Sequence, residues 1–333
     1  MTKKDLKIIY MGTPDFAVES LRALVEGGYN VVAVITMPDK PMGRHGSVLQ
    51  PSPVKQYAVE QVLKVLQPIS LKDPEFISEL RQLNADLQVV VAFRMLPEIV
   101  WSMPSLGTFN AHASLLPKYR GAAPINWAVI NGETETGITT FFLKHEIDTG
   151  DIIQQVRIPI ADNDNVEIVH DKLMKLSGEL VTETIDKILT GTVTPIPQDQ
   201  IEGVSPTPAP KIFRDTCRIN WNSPTKQIYD FIRGLSPYPA AWTTLDGKSV
   251  KIYEATKEEL SIRDNDTLYK KVKATFIATN RPGTIFSDGK TYLKAATADG
   301  ILNIKTLQIE GKKRMAVEDL LRGFKIEENA VFV

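Results

Sequence analysis

The densest run of polar side chains in the sequence begins at Asn110. Asn110 and His112 are two residues apart at the end of a predicted strand, so their side chains leave the same face of that strand. In open α/β sheets, ligands bind beyond the carboxyl ends of the strands. An imidazole placed there can exchange a proton near neutral pH, and an amide N–H can stabilise an oxyanion. Spacing alone equally allows a polar strand end whose groups are satisfied by the backbone.

A second polar cluster lies between Lys144 and Asp151, in a loop between two predicted strands. Its Asp148 can hold the imidazole of His112 in one tautomer and stabilise the cationic form, as a carboxylate does in hydrolase triads. Surface loops are also acidic for solubility alone, so this cluster by itself leaves both roles open. The other three histidines are expected to be exposed or structural rather than catalytic: His45, His145 and His170.

Several kinds of site are excluded by motifs that the sequence lacks. The turn Gly12-Thr-Pro-Asp stands where a dinucleotide fingerprint would lie, but the three spaced glycines are missing, and so is the phosphate-loop pattern. Without an HExxH motif or paired cysteines, no catalytic metal is expected. Cys217 is the only cysteine, so an internal disulfide is excluded and a buried, inert thiol is expected. The chemistry left is metal-free acid–base catalysis or acyl transfer.

The elements that must position these residues alternate between strand and helix in the first half of the chain. Apolar runs predict strands at residues 6–11, 30–36, 87–92, 107–111, 138–143 and 152–158. Helical spacing predicts helices at residues 15–26, 54–63, 74–83, 124–130 and 166–189. Alternating elements of this kind predict an α/β fold with a doubly wound, mostly parallel sheet.

Residues 37–53 interrupt this alternation. They contain four prolines and a basic pair between two glycines, Gly43-Arg44-His45-Gly46, and they show no helical or strand periodicity. A long structureless stretch inside a compact domain is usually functional or disordered.

The second half of the chain has a different pattern. Residues 191–210 are rich in proline and poor in large apolar residues, which is typical of a stiff, extended linker. After a predicted helix at 225–233, short strands are predicted at 241–245, 250–255, 271–277, 284–286, 292–295 and 301–309. We therefore predict a catalytic domain at 1–190, a linker at 191–210 and a small β-barrel domain at 211–333.

Composition agrees with two globular domains, because the chain has 333 residues, of which 43% are apolar and 24% charged. No apolar run approaches the roughly 20 residues of a membrane span. The first residues are charged and lack an apolar signal core, so a cytoplasmic location is expected.

The net charge of −1 argues, taken at face value, against a nucleic-acid partner. It is, however, the sum of −5 over residues 1–190 and +4 over residues 191–333. An acidic first part followed by a basic second part is compatible with an anionic partner bound by the second part.

The chain resembles a known family on the residues that carry the chemistry. Formyltransferases that use 10-formyltetrahydrofolate share the run NAHASLLPKYRGAAPI at residues 110–125, with Asn110, His112 and Asp148 on their three catalytic positions. Within that superfamily the chain is similar to methionyl-tRNA formyltransferases, on MGTPDFAV at 11–18, MPDKPMGR at 37–44, PSPVK at 51–55 and SPYPAAW at 236–242. The resemblance covers nearly the whole chain and is weaker from Glu254 onward.

The resemblance implies an activity and a fold. The α-amine of methionine esterified to initiator tRNA would attack the formyl carbon on N10 of the folate. Asn110 and protonated His112 would stabilise the resulting oxyanion, and His112 would exchange a proton with the amine or N10. Asp148 would orient and charge His112. The fold would be a Rossmann-like catalytic domain followed by a barrel like an oligonucleotide-binding fold, without a metal.

The resemblance also implies which residues hold the folate. The first set would line the folate site: Ser114, Leu115, Leu116 and Pro117. The second set would hold the pterin through its backbone: Phe93, Arg94, Met95 and Leu96. This chain departs from the family there, because the family commonly has a Tyr-Gly pair and one more residue in place of AFRMLP at 92–97.

Two basic regions are implied to bind the tRNA. Residues 37–53 resemble the inserted loop that approaches the acceptor end of the tRNA, with Arg44 as a phosphate or base contact and Lys40 as its helper. In the second domain the sharpest basic run is Lys312-Lys313-Arg314. A flexible loop and a solvated turn are the respective alternatives. No protein partner is implied, and a monomer is expected.

Three other functions compete with this one. The first is a formyltransferase that acts on an amino sugar nucleotide, because that family also has a second domain and the Asn126-Trp pair of this chain resembles it. The run PSPVK and the basic loop weigh against this function. Glycinamide ribonucleotide formyltransferase has no second domain of this size. A non-catalytic RNA-binding protein is disfavoured by the intact set Asn110, His112 and Asp148.

Overall fold

Strands and helices alternate along the first part of the chain, as the sequence predicts. The strands are β1 (Lys7–Gly12), β2 (Asn30–Ile35), β3 (Lys40–Met42), β4 (Val48–Gln50), β5 (Val65–Leu66), β6 (Leu87–Val91), β7 (Thr108–His112), β8 (Arg120–Gly121), β9 (Glu135–Phe142), β10 (Ile152–Pro159) and β11 (Pro208–Ala209). The helices are α1 (Phe16–Glu26), α2 (Pro53–Glu60), α3 (Pro74–Gln82), α4 (Glu98–Trp101), α5 (Pro124–Ile130) and α6 (Val166–Thr190).

The structure is a computed structural model that describes residues 2–42, 48–257, 281–327 and 330–333. The chain divides into two units. The first consists of Met1–Pro124, Glu135–Pro159 and His170–Pro210. The second consists of Ile125–Thr134, Ile160–Val169 and Lys211–Val333.

Local sequence explains where the helices of the first unit begin. The Ser52 hydroxyl accepts a hydrogen bond from the amide of Lys55 at 3.1 Å, and Asp73 accepts from the amide of Glu75 at 2.9 Å. A proline follows each of these residues at the start of α2 and α3, where its missing N–H has no cost. These caps fix the start of α2 and of α3.

Seven strands form one sheet in the order β10-β9-β7-β6-β1-β2-β5. β1 pairs in parallel with β2 and β6, and β6 pairs in parallel with β7, whereas β9 is antiparallel to β7. β6 is buried along its whole length, as expected of an inner parallel strand. The predicted doubly wound, mostly parallel sheet of Rossmann-like type is confirmed.

The strand order places a change of direction beside β1. The chain adds β2 and β5 on one side of β1 and then returns to add β6 and β7 on the other. The carboxyl ends of β1 and β6 flank this switch point, where open α/β sheets bind ligands. The register pairs Gly12 with Val91 and Val90 with Asn110, so the end of β7 lies next to the same point.

The proline-rich residues 191–210 pair with strands of the first unit. Ile196 forms a bridge with Ile152, and β11 pairs in parallel with β8. Gly121 in β8 has a φ of +126°, and a Cβ there would lie 2.6 Å from the carbonyl oxygen of Ala209. Only glycine therefore allows this approach. The predicted domain limits of 1–190, 191–210 and 211–333 remain a prediction.

The expectation that residues 37–53 lack regular structure is wrong in part. β3 pairs antiparallel with β4, with Lys40 opposite Gln50. The sequence shows no alternation of buried and exposed residues at this hairpin, since Val48 and Leu49 are 62% and 65% exposed. Backbone pairing, rather than burial, makes these two strands. Arg44 and His45 lie outside the described residues.

The second unit contains an antiparallel sheet. Its strands are β12 (Ala241–Leu245), β13 (Lys248–Lys257), β14 (Ile285–Ser287), β15 (Leu293–Ala296), β16 (Ile301–Ile309) and β17 (Met315–Ala316), and its helices include α7 (Thr225–Leu235) and α8 (Val317–Leu321). The strand order is β12-β13-β16-β15-β14, and β17 pairs with β16. This curled sheet confirms the predicted small barrel-like second domain. The strand predicted at 271–277 lies outside the described residues.

One core supports the second unit. α7 buries Ile228, Ile232 and Leu235 against the sheet. The rings of Trp221 and Phe332 stack at 5.2 Å between centroids. Cys217 is 1% exposed, and burial raises the pKa of its thiol, as expected of an inert core cysteine.

A buried ion pair also belongs to this unit. One carboxylate oxygen of Asp230 accepts from Nε of Arg233 at 2.8 Å, and the other accepts from Nζ of Lys226 at 2.6 Å. The same guanidinium donates to the carbonyl oxygens of Asp164 at 2.8 Å and Ala161 at 3.3 Å. Asp230 and Arg233 are 3% and 7% exposed, so both charges are buried with their partners in place.

Candidate active site

His112 and Asp148, predicted to act together, are neighbours in the structure. Nδ1 of His112 lies 3.8 Å from Oδ2 of Asp148, and their side chains are 8% and 11% exposed. The other ring nitrogen, Nε2, lies 2.9 Å from the carbonyl oxygen of Tyr119. A carbonyl can only accept, so this contact requires a hydrogen on Nε2.

The carbonyl of Tyr119, rather than the carboxylate of Asp148, orients the imidazole. A separation of 3.8 Å is too long for a hydrogen bond, so Asp148 does not hold the ring as a triad carboxylate would. With Nε2 protonated, a second proton on Nδ1 would face the carboxylate of Asp148. The charging role of Asp148 stays a prediction.

Asp148 is fixed by groups distant in sequence. Its backbone has a φ of +55°, and its Oδ2 accepts from the amide of Gly121 at 2.9 Å. Its carbonyl oxygen accepts from Nε2 of Gln198 at 2.8 Å, and the same amide group donates to Gly150 at 2.9 Å. Arg120 in turn donates to Oε1 of Gln198 through two nitrogens. Sequence reasoning missed Gln198, because nothing in residues 191–210 points to this loop.

Asn110, the third predicted catalytic residue, lies on β7 beside this pair. Its Oδ1 is buried and has no hydrogen-bond partner among the described residues. The same is true of Thr13 Oγ1 and Arg94 Nε. A buried polar atom without a partner costs about 1–3 kcal/mol, so each needs an explanation.

The three residues lie at the same edge of the sheet. Thr13 follows β1, Arg94 lies in the loop after β6, and Asn110 lies near the carboxyl end of β7. β1, β6 and β7 are adjacent, and their carboxyl ends meet at the switch point. Unsatisfied polar groups on residues at three adjacent strand ends, where open α/β sheets bind ligands, mark this edge of the sheet as a candidate substrate site.

Thr13 is a candidate site residue that sequence reasoning missed. It lies in the turn Gly12-Thr-Pro-Asp. Because this turn lacks the glycines of a dinucleotide site, its sequence offers no reason to assign a role to Thr13. Gly12 sets its position, since a Cβ at Gly12 would lie 2.7 Å from Cβ of Ala17 and 3.1 Å from the carbonyl oxygen of Val91. Its place directly after the central strand is the signal that identifies it.

The segment predicted to line the folate site is mostly held by the protein. The Ser114 hydroxyl donates to the carbonyl oxygen of Lys118 at 2.7 Å, and the Ser114 carbonyl accepts from Thr139 at 2.7 Å. Leu116 is 2% exposed and packs with Phe141. Pro117 is buried too, so the half-buried Leu115 is the most accessible of the four predicted residues.

The segment predicted to hold the pterin is more open. Met95 is 72% exposed, Leu96 is buried and Phe93 is half-buried. Ala92, which begins the loop, has a φ of +47°, a conformation uncommon for a residue with a side chain. The guanidinium of Arg94 contacts the carbonyl oxygens of Pro68 and Ile69.

The residues predicted to bind tRNA are exposed where the structure describes them. Lys40 lies on β3 in the first unit. Lys312, Lys313 and Arg314 lie between β16 and β17 in the second unit. The guanidinium of Arg314 stands 4.3 Å from the ring of Tyr253.

A further basic surface in the second unit was not predicted. The guanidinium groups of Arg214 and Arg218 lie 5.8 and 5.5 Å from the ring of Trp242. Nearby in sequence, Nζ of Lys211 lies 5.5 Å from the ring of Phe213, which is 60% exposed. Cations interleaved with aromatic rings are typical of surfaces that bind single-stranded nucleic acid. The spacing of these residues in 211–218 was the available signal.

Among the described residues, no group of three or more His, Cys, Asp or Glu side chains is placed to hold a metal ion. No helix in the same residues is long and apolar enough to cross a membrane.

Two family models match the chain. A model described as formyl transferase matches residues 6–185. A model described as formyl transferase, C-terminal domain, matches residues 211–325.

Relatives of high identity share one name. The chain is 66% identical over 331 residues to a methionyl-tRNA formyltransferase of Phocaeicola vulgatus, covering 99% of both proteins. It is 46% identical over 335 residues to a methionyl-tRNA formyltransferase of Porphyromonas gingivalis, again covering 99% of both.

Solved structures share the fold at low identity. An N-formyltransferase of Helicobacter canadensis, in complex with folinic acid and dTDP-3-aminofucose, has a TM-score of 0.63 at 21% identity, with 93% of this chain and 100% of that chain covered. A methionyl-tRNA formyltransferase of Clostridium thermocellum has a TM-score of 0.51 at 18% identity, covering 78% and 95%.

Proposed function

Since the chain belongs to the formyl transferase family over most of its length, we infer that it transfers the formyl group of 10-formyltetrahydrofolate to the α-amine of methionine esterified to initiator tRNA. The observation that carries this function is the 66% identity to the Phocaeicola vulgatus methionyl-tRNA formyltransferase across 99% of both proteins. The products are tetrahydrofolate and formylmethionyl-tRNA.

The reaction sets three tasks for the protein. The formyl oxygen gains negative charge as the amine attacks the formyl carbon. The amine must lose a proton, and N10 of the folate must gain one as its bond to the formyl carbon breaks. No metal is required, since a neutral amide and a cationic imidazole can stabilise the oxyanion, and the imidazole can give its proton to N10 and, once neutral, take one from the amine.

We assign the first task to Asn110 and His112. Both lie at the carboxyl end of β7, beside the switch point of the sheet. The Nδ2 hydrogens of Asn110 are the donors that an oxyanion needs, and its Oδ1, unpartnered among the described residues, is an acceptor that can take a hydrogen bond from the attacking amine. The assignment agrees with the catalytic positions of the family.

We assign the proton transfers to His112, with Asp148 stabilising its charged form. Because Nε2 faces the Tyr119 carbonyl and Nδ1 faces Asp148, one of these two contacts must give way when the ring exchanges a proton with the substrate. The Nδ1 to Oδ2 distance of 3.8 Å supports an electrostatic effect rather than a hydrogen bond. Catalytic hydrogen bonds are often long in the absence of substrate and shorten in its presence. Hydrogen bonds from Gly121 to the carboxylate and from Gln198 to the carbonyl oxygen of Asp148 keep the carboxylate at this distance.

We place the tRNA on two surfaces. Lys40 and Arg44 would contact the acceptor end. In the second unit, Lys312, Lys313 and Arg314 would contact the phosphate backbone, together with the cations that lie over Trp242. A reaction on charged tRNA implies that the protein works in the cytoplasm.

Formyl transfer to the competing acceptors tests this function. The protein is incubated with 10-formyltetrahydrofolate and methionyl initiator tRNA, methionyl elongator tRNA or a dTDP-linked amino sugar, and formylated product is measured in each. Formylation of the initiator tRNA is expected. Formylation of the amino sugar nucleotide without formylation of the tRNA would reject the function in favour of the sugar enzymes whose fold the chain shares.

A further inference from the structure

We propose that the side chain of Arg94 positions the loop that receives the formyl donor, by fastening residues 93–96 to the segment 67–69. This inference rests on the proposed function, because it concerns the donor side of the same site. Arg94 acts here as a positioning residue through its guanidinium, in addition to any contact of its backbone with the pterin.

The loop after β6 lacks the bonds that usually fix a loop. Within the described part of the chain, residues 93–96 form no backbone–backbone hydrogen bond. Their amides and carbonyls are therefore available to a planar ligand with several donors and acceptors, such as a pterin. A loop of this kind loses conformational entropy on binding unless side chains hold it beforehand.

The guanidinium of Arg94 provides such a hold. One terminal nitrogen donates to the carbonyl oxygen of Ile69 at 2.8 Å, and the other donates to that of Pro68 at 2.5 Å. The planar fork of an arginine is suited to bridge two neighbouring acceptors, whereas a lysine presents a single point charge. The two bonds join chain segments about 25 residues apart.

The segment that Arg94 grips is itself anchored. Nε2 of Gln67 donates to the carbonyl oxygen of Met37 at 2.9 Å and to Oδ1 of Asp39 at 2.8 Å. Nζ of Lys55 donates to the other oxygen of Asp39 at 2.6 Å. These bonds hold the pKa of the Asp39 carboxyl below its usual range, with Lys55 as the larger cause. Arg94 therefore bonds to a segment that is itself held by hydrogen bonds to residues 37 and 39, next to β3.

The charge of Arg94 is not neutralised within the protein. No carboxylate forms an ion pair with it among the described residues, and its buried Nε has no hydrogen-bond partner there. Burial lowers the pKa of the guanidinium, yet an arginine remains charged in proteins.

Donor binding measured without tRNA tests the proposal. The full chain and its Arg94→Ala, Arg94→Lys and Arg81→Ala variants are titrated with 5-formyltetrahydrofolate, which resembles the donor but does not transfer its formyl group. We expect affinity to fall about tenfold in Arg94→Ala and to recover only partly in Arg94→Lys. Arg81, exposed on α3, is the control that should leave affinity unchanged.

Hydrogen exchange supplies a readout that does not depend on activity. In Arg94→Ala, amide exchange should rise in residues 67–70 and 92–97 while the rest of the sheet stays protected, and the KM for methionyl-tRNA should stay unchanged. Wild-type donor affinity in Arg94→Ala or in Arg94→Lys would overturn the proposal. Weakened folate binding in a protein that does not formylate tRNA would instead reject the proposed acceptor and leave the role of Arg94 standing.

Discussion

Two groups of buried polar side chains differ in how completely their hydrogen bonds are made. In the second unit, Asp230 accepts from Arg233 and Lys226, and Arg233 also donates to two carbonyl oxygens. In the first unit, a set of three side chains each keeps one buried atom without a partner among the described residues: Thr13, Arg94 and Asn110.

We interpret the difference as one between residues that hold the fold and residues proposed to act on a substrate. A completed buried pair keeps two charges compensated, so removing one partner lowers the free energy of unfolding. An unpartnered buried atom lowers stability for as long as it lacks a partner. A ligand bound at this edge of the sheet would give the three atoms the partners that they lack among the described residues.

The largest effect is expected for His112→Ala. The rate of formyl transfer should fall by about 10²–10⁴-fold, because the proton transfers lose their catalyst. Single-turnover kinetics with saturating methionyl-tRNA and donor would measure this step. His145→Ala is the control, since that ring is 74% exposed and should leave the rate unchanged. An unchanged rate in His112→Ala would remove the residue from the mechanism.

The next effect concerns stability. Asp230→Ala should lower the free energy of unfolding by about 3–5 kcal/mol, because it leaves the buried charge of Arg233 without its carboxylate. Urea denaturation measures the change. Asp319→Ala breaks an exposed pair with Arg322 at the same spacing, and it should cost no more than about 1 kcal/mol. Equal losses in the two variants would break the distinction between buried partnered groups and surface charges.

Thr13→Val should separate stability from activity. Valine has nearly the same shape and removes the unpartnered hydroxyl, so the free energy of unfolding should rise by about 1 kcal/mol while kcat/KM falls by roughly 2- to 10-fold. Thr243→Val is the matched control, since that hydroxyl is buried and bonded to Trp221 and Val333. It should lower stability and leave turnover intact. A loss of stability in Thr13→Val would show that Thr13 has a structural role.

The smallest effect is expected at the surface. Arg314 has an aromatic ring as its neighbour and no carboxylate partner among the described residues, whereas Arg322 is paired with Asp319 at 3.1 Å. Arg314→Ala should weaken tRNA binding and reduce the slope of log K against log salt by about 1, as expected for one lost phosphate contact. Arg322→Ala should change neither. Equal slopes for the wild type and Arg314→Ala would exclude a phosphate contact at this position.

Much of the scaffold could be predicted because burial leaves a periodic trace in sequence. The bounds predicted for α5, β12 and β16 are those of the structure, since apolar residues mark these elements from end to end. The proximity of His112 and Asp148 could be predicted from a strand end and a polar loop, aided by the resemblance to a known family.

The contacts that tune the site could not be predicted. The Tyr119 carbonyl that faces His112 and the Pro68 and Ile69 carbonyls that face Arg94 are backbone groups, which every residue type carries. No pattern of residue types in the sequence can therefore predict these backbone contacts. The hairpin of β3 and β4 was missed for a related reason, since its exposed strands have no apolar alternation.

The bond from Gln198 to the loop at Asp148 and Gly150 has a consequence for synthesis of the chain. All seven strands of the main sheet are complete by residue 159, but Gln198 and the partner of Gly121 at Ala209 come some 40 to 50 residues later. A ribosome works from the amino end, and domains tend to fold in that order. The nascent sheet can therefore form well before the loop at Asp148 and Gly150 gains its hydrogen bonds from Gln198.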